Sequence, residues 1–233
     1  MTNPAYRHRI LIIDRSGSID SILTGQQDGL DEFFASEKHV LDDRGDKATY
    51  SVWDFDDEIR CVNSVEQLDA VRSYQIVPRG MTAMRDAIGD AVKAEGQKLA
   101  ALPEDERPVD VTVTIFSDGL DNVPDQRHSA AEVKKLLDQQ QDVYGWRVIY
   151  MGTNQDAIKE GAKYGMRKGS TVTYDSSDYG AKMSYRGMSN FLRSAPVAAS
   201  VPGGQGYVMD DASRKIAEAK EEDQPEDQSN SVS

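Results

Sequence analysis

Cysteine is almost missing from this 233-residue chain: Cys61 stands alone, which excludes an internal disulfide and any zinc site built on several thiolates. Histidine is nearly as scarce, with only His8, His39 and His128, so a histidine-rich metal centre is not expected. No run of 18 apolar residues occurs, and no membrane span is expected. Positive charge is in deficit, with 27 Lys and Arg against 40 Asp and Glu and a formal net charge of −13. Such a field repels nucleic acid and anionic membrane surfaces and favours cations. The Walker A pattern and the G-x-S-x-G elbow are absent as well. The apolar run Ile10 to Ile13 ends at Asp14, too short for a secretory signal, so the chain is expected to stay in the cytoplasm.

What is present is enough to fold on its own. Hydrophobic residues make up 38% of the chain, a level that supports a real core at this length without staples. Arg9 to Asp14 is a short apolar run bounded by charge and reads as a buried parallel strand. Ile19, Ile22, Leu23, Leu30, Phe33 and Phe34 follow at helical spacing. Residues 48–55 and 58–63 flank Asp56-Asp57 as a hairpin, with Cys61 expected to fill the core. Thr82 to Leu102 is a second amphipathic helix, Val109 to Phe116 a strand, and Ser129-Ala130-Ala131-Glu132 a capping box opening a helix to about Gln141. Trp146 to Met151 is the next strand, and Gly152-Thr153-Asn154 the turn leaving it. A short helix to about Tyr164, a strand at 170–174 and a helix from about Tyr179 to Ser194 complete the alternation. That alternation predicts an open, mostly parallel α/β sheet with helices on both faces.

After Ala195 the composition shifts to Pro and Gly and then to acids, with eight between Asp210 and Asp227. The expected organisation is a domain over residues 1–195 and an acidic, disordered tail over 196–233, with room for a short helix from Ala212 to Lys220.

Three separated pieces carry the chemistry: Asp14-Arg15-Ser16-Gly17-Ser18, Gly80-Met81-Thr82 and Ser117-Asp118-Gly119. The first and third sit at the C-terminal ends of predicted strands, where open α/β sheets bind ligands. With the strand order 3-2-1-4-5-6, Asp14 and Asp118 meet at the point where the order reverses. Side chains at 14, 16 and 18 alternate in an extended turn, so one carboxylate and two hydroxyls point the same way. With Thr82 they make a hard, all-oxygen set suited to Mg²⁺, Mn²⁺ or Ca²⁺. Such a set carries little charge, which leaves a position for an outside acidic group.

At these residues the chain resembles the von Willebrand factor A (vWA) family, whose metal-ion-dependent adhesion site (MIDAS) combines D-x-S-x-S, a distant Thr and a later Asp in a T/S-D-G turn. The resemblance covers about residues 8–193. The segments Pro78 to Gly89 and Gly145 to Ala157 resemble the small soluble bacterial and phage members. The resemblance implies a Rossmann-like sheet with one antiparallel edge strand. It also implies a Mg²⁺ (or Mn²⁺ or Ca²⁺) site formed by Asp14, Ser16, Ser18, Thr82 and Asp118, completed by an Asp or Glu of a protein partner. Arg15 and Met81 occupy positions that the motif leaves free. With Arg85, Asp121 and Asn122 they are candidates for supporting the site or touching the partner. A bacterial or phage-infected cytoplasm is the implied setting.

Each piece has an alternative reading. Ser18 and Thr82 read equally as helix caps, and Asp118-Gly119 as a plain turn. Asp121 and Asn122 read as a solvated turn, Arg15 and Arg85 as solvated charges. Asp54, Asp56, Asp57 and Glu58 read as an acidic hairpin tip or as a second cation site. Enzymatic activity is not expected. A phosphoaspartyl mechanism wants an acid two residues after Asp14, where Ser16 stands, and no histidine follows a strand end to build a triad. The expected function is a metal-dependent protein-binding module. The alternatives are a structural or assembly protein, for instance of a phage, and a metal-dependent hydrolase.

Overall fold

The computed structural model describes residues 2–153, 155–194 and 208–223. Six strands, β1 (Asn3–Asp14), β2 (Lys47–Phe55), β3 (Ile59–Glu66), β4 (Pro108–Ser117), β5 (Arg147–Gly152) and β6 (Thr171–Thr173), form one sheet in the order β3-β2-β1-β4-β5-β6. All neighbours run parallel except β2 and β3, the hairpin, which makes β3 an antiparallel edge. This is the expected sheet and the expected order.

The period-2 alternation of β1 sends its side chains to two separate cores. Leu11 and Ile13 join one with α1 (Leu23–Arg44) and α6 (Asp178–Ser194). Ile10 and Ile12 join the other with α3 (Met84–Ala101) and α4 (Ala130–Val143). The capping box expected at Ser129 is formed, with Ser129 and Glu132 each accepting the other's backbone N–H. A four-residue helix, α2 (Leu68–Val71), lies between β3 and α3, where no element was expected. The short α5 (Gln155–Lys163) links β5 to β6.

Three expectations are corrected. β1 begins six residues before Arg9, because Arg7, His8 and Arg9 are buried and partnered: Arg7 by Asp46 at 2.6 Å, His8 by Thr49 at 2.9 Å and Arg9 by Asp110 at 2.8 Å. Cys61 is exposed, since β3 has a neighbour on one side only and offers its outer residues to solvent. Within the expected tail, residues 209–217 dock on the domain: α7 (Asp211–Ala217) lies on α6, and Met209 and Ala217 enter the core. The approach is close enough that a Cβ on Gly187 would fall 2.4 Å from that of Ala217. The expected boundary after residue 195 and the remaining tail, 195–207 and 224–233, lie outside the described residues, as does Asn154.

Candidate metal centre

Asp14 closes β1, and Ser117 closes the adjacent parallel β4, one step beyond the Ile13–Phe116 pair. The register therefore brings both strand ends together without help from the loops. Asp14 is buried. Its Oδ1 accepts the Ser16 backbone N–H at 2.8 Å and its Oδ2 accepts the Ser117 hydroxyl at 2.6 Å. The Ser16 and Ser18 hydroxyls stand 3.1 Å apart, and Ser18 Oγ donates to Asp118 Oδ1 at 2.9 Å. Thr82 arrives from a third loop. A Cβ placed on Gly119 would lie 3.7 Å from Thr82 Oγ1 and 3.9 Å from Ser18 Oγ, so the side of Gly119 that carries no side chain faces both hydroxyls. Asp14, Ser16, Ser18, Thr82 and Asp118 thus converge on one spot.

The capping alternatives do not describe these hydroxyls. Ser16 is the N-cap of the 3-10 turn Gly17–Ile22, but its side chain makes no capping bond, and Ser18 lies inside that turn. Thr82 precedes Ala83, the N-cap of α3, and does not cap it.

Burial pushes the Asp14 carboxyl up to about 7 against the hydrogen bonds from Ser117 and Ser16, and the nearby charge of Asp118 adds to the rise. Burial raises Asp118 too. No cationic side chain is among the main influences on either carboxyl. Among the described residues no group of three or more His, Cys, Asp or Glu is placed to hold a metal, so a cation here would depend on the hydroxyls. Two carboxylates and three hydroxyls without a neutralising side chain fit a hard divalent ion.

The supporting residues divide by role. Asn122 holds Thr82 from both sides: its Oδ1 accepts the Thr82 N–H at 2.8 Å, and its own N–H donates to the Thr82 carbonyl at 3.0 Å. Asp121 is no solvated turn residue. It accepts the Met84 N–H at the start of α3 at 3.2 Å and the Tyr164 hydroxyl at 3.0 Å, and pairs with Arg85 at 2.6 Å. Met81 is half-exposed beside Thr82, and Leu120 is equally exposed beyond Gly119. The sequence reading missed Thr153, whose hydroxyl donates to the Asp118 carbonyl at 2.6 Å from the end of β5. Nothing in the turn Gly152-Thr153 signals that contact, which arises from the β4–β5 register.

Arg15 departs furthest from its expected place. Only 2% exposed, it turns away from the rim to Asp54 (3.2 Å) and Asp56 (2.6 Å) of the hairpin. Arg60 binds Asp54 and Arg79 binds Asp56 from the outer side, and Arg79 also reaches Glu58. Asp54, Asp56 and Glu58 are therefore neutralised by arginines, while the exposed Asp57 accepts the Met81 N–H at 3.4 Å, and no group of acids among the described residues is placed here as a second cation site.

One Ser–His–acid grouping exists elsewhere. Ser51 Oγ donates to Glu95 at 2.9 Å, and His8 Nε2 lies 3.4 Å from Ser51 and 3.5 Å from Glu95. All three are fully buried on the α3 face, with no route for a substrate. A cavity of about 1300 Å³, lined in part by Leu99, Val109, Leu136, Tyr144 and Trp146, opens at the opposite end of the sheet from Asp14 and touches none of the candidate residues.

Neither a family model nor a curated protein sequence matches the chain. Solved structures match the fold. Proximal thread matrix protein 1 (PTMP1) from the mussel byssus, solved with a zinc-occupied MIDAS motif, superposes with a TM-score of 0.55 at 18% identity, over 82% of this chain and 47% of that one. The PilB minor pilin of Streptococcus sanguinis gives 0.55 at 13% identity, over 82% and 63%. The vWF domain of the type V pili tip protein Mfa5 from Porphyromonas gingivalis gives 0.53 at 9% identity, over 80% and 94%. The match thus spans about half the length of PTMP1 and under two thirds of PilB. At these identities the likeness is one of fold, and the fold is vWA-like. These neighbours come from a byssus and from pili, and none supports a cytoplasmic location. No helix among the described residues is long and apolar enough to cross a membrane.

Proposed function

We propose that this chain is a protein-binding module in which Asp14, Ser16, Ser18, Thr82 and Asp118 hold a divalent metal, Mg²⁺ or else Mn²⁺ or Ca²⁺, and an Asp or Glu of a partner protein completes its coordination. The convergence of five oxygen-bearing side chains from three loops at the ends of β1 and β4 carries this reading. The metal supplies a positive centre that two proteins share, and the chain supplies the donors and their spacing. Ser18, Met81 and Leu120 are exposed around it, so a partner can reach the site. The zinc-occupied MIDAS motif of PTMP1 and the pilus proteins of similar fold support metal binding and adhesion as the class of function. The segments 78–89 and 145–157 support a small bacterial or phage protein as its source.

The test is capture of a binding partner in Mg²⁺ and in excess chelator, with Asp14→Ala and Asp118→Ala alongside. Capture is expected to need the metal and both aspartates, and to fail when the partner's critical acid is changed to its amide. Capture in fixed stoichiometry that ignores chelator would contradict the proposal and favour a scaffold role in an assembly.

A further inference from the structure

The candidate metal centre is assembled from three loops, and Arg15 ties two of them, the Asp14–Ser18 turn and the loop that carries Thr82, to the β2–β3 hairpin. Its own position lies between Asp14 and Ser16. Its N–H donates to the Phe55 carbonyl at the end of β2 at 2.8 Å, and its guanidinium reaches across to Asp54 and Asp56 at 3.2 and 2.6 Å. Its carbonyl accepts the Arg79 N–H at 2.8 Å. Asp56 then completes the loop of contacts, because its carbonyl accepts the N–H of Ala83, the residue after Thr82, at 2.8 Å. Its carboxylate takes the Arg79 guanidinium at 2.5 Å. Gly17 N–H to the Gly80 carbonyl, at 3.1 Å, closes the circuit on the site side. Gly80 sits at φ +68, a backbone conformation that a side chain would strain, and a Cβ there would also displace Asp57 Oδ1, 1.9 Å away.

We infer that Arg15 is the positioning residue of the proposed metal centre: through Asp56 and Arg79 it fixes the distance between the Ser16–Ser18 turn and Thr82. The inference rests on the metal-binding reading above and adds to it the element that sets affinity. Ser16 and Ser18 ride on the backbone that Arg15 anchors, and Thr82 rides on the backbone that Asp56 and Arg79 anchor. Loosening the guanidinium lets the two sets of hydroxyls drift apart while Asp14 and Asp118, fixed by the β1–β4 register, stay in place. A planar guanidinium is needed because it must serve two carboxylates two residues apart at the end of β2; an ammonium group serves one well.

The test is Mn²⁺ titration of the full chain, following free Mn²⁺ by electron paramagnetic resonance, with thermal unfolding in chelator measured in parallel. Four proteins are compared: wild type, Arg15→Met, Arg15→Lys and Arg147→Met. The last breaks a buried ion pair with Asp110 at the far end of the sheet and is the control for general destabilisation. Arg15→Met is expected to weaken Mn²⁺ binding by roughly 10–100-fold, the usual effect of removing a group that orients metal ligands, with Arg15→Lys intermediate. Arg147→Met is expected to lower the melting temperature and leave the affinity alone. Should Arg15→Met fail to fold, Arg79→Ala, a half-exposed position in the same circuit, is expected to weaken binding in the same direction. Unchanged affinity in the folded circuit variants, or an equal loss in Arg147→Met, overturns the inference while leaving the metal centre intact. No Mn²⁺ uptake by the wild type overturns the metal reading itself.

Discussion

Buried charge in this molecule is placed in pairs and triads whose partners lie far apart in sequence. Asp110 on β4 accepts from Arg9 on β1 at 2.8 Å and from Arg147 on β5, so three adjacent strands share one carboxylate. Burial alone would raise its pKa, but the two arginines overcome that and hold it well below the usual carboxylate range. A carboxyl whose pKa is depressed by folding contributes stability above its unfolded value and loses it as pH falls. Asp110→Asn is therefore expected to cost about 3–5 kcal/mol at neutral pH, as for other buried pairs broken on one side. The gap to wild type should narrow as pH drops below about 4, the unfolded aspartate value. Chemical denaturation at several pH values measures this, and a gap independent of pH contradicts it. The same long-range pairing limits what the sequence reveals. Arg15 and the acids at 54 and 56 read separately as solvated charges and an acidic tip, because neither segment alone shows that the other neutralises it. Asp14, Asp118 and Thr82 stand out in the sequence because they lie at the ends of β1 and β4 and just before α3, and Ser16 and Ser18 because of their spacing from Asp14.

The elements follow from periodicity where one face is buried and escape it where polar groups are buried instead. β4 and α4 show their alternation and capping box in the sequence. The first half of β1 does not, since Arg7, His8 and Arg9 are charged or polar and yet buried against Asp46, Thr49 and Asp110. α7 was readable as a short helix at Ala212, but its docking was not, because only Met209 and Ala217 enter the core from an otherwise acidic stretch. That docking has a measurable consequence. A chain ending at Ser194 loses the cover that Met209 and α7 give to α6, and burial of a methionine side chain alone is worth about 1.5–3 kcal/mol. The shortened chain is expected to melt several degrees lower than the full chain and to keep its response to metal. An unchanged melting temperature would show that α7 contributes no stability.

On the scale of the whole molecule, the sheet gives the chain two distinct ends. The C-terminal ends of β1 and β4 carry the oxygen donors, and the N-terminal ends carry the cavity beside Trp146. The order β3-β2-β1-β4-β5-β6 places the site where the direction of winding reverses, the position from which open α/β sheets bind ligands. The net charge of −13 assists the capture of a cation and opposes binding to nucleic acid.

The central claim is that Asp14 and Asp118 with the three hydroxyls bind a divalent metal, and thermal unfolding tests it most directly. Wild type and Asp118→Ala are melted in chelator and then in saturating Mg²⁺, Mn²⁺ and Ca²⁺. A site filled at about 100 times Kd adds roughly 2.7 kcal/mol. For a domain of this size that is an upward shift of about 5–10 °C. The account predicts this shift in wild type with at least one of the metals and its loss in Asp118→Ala. A wild type whose melting temperature ignores all three metals, or an Asp118→Ala variant that responds as fully as wild type, would contradict it.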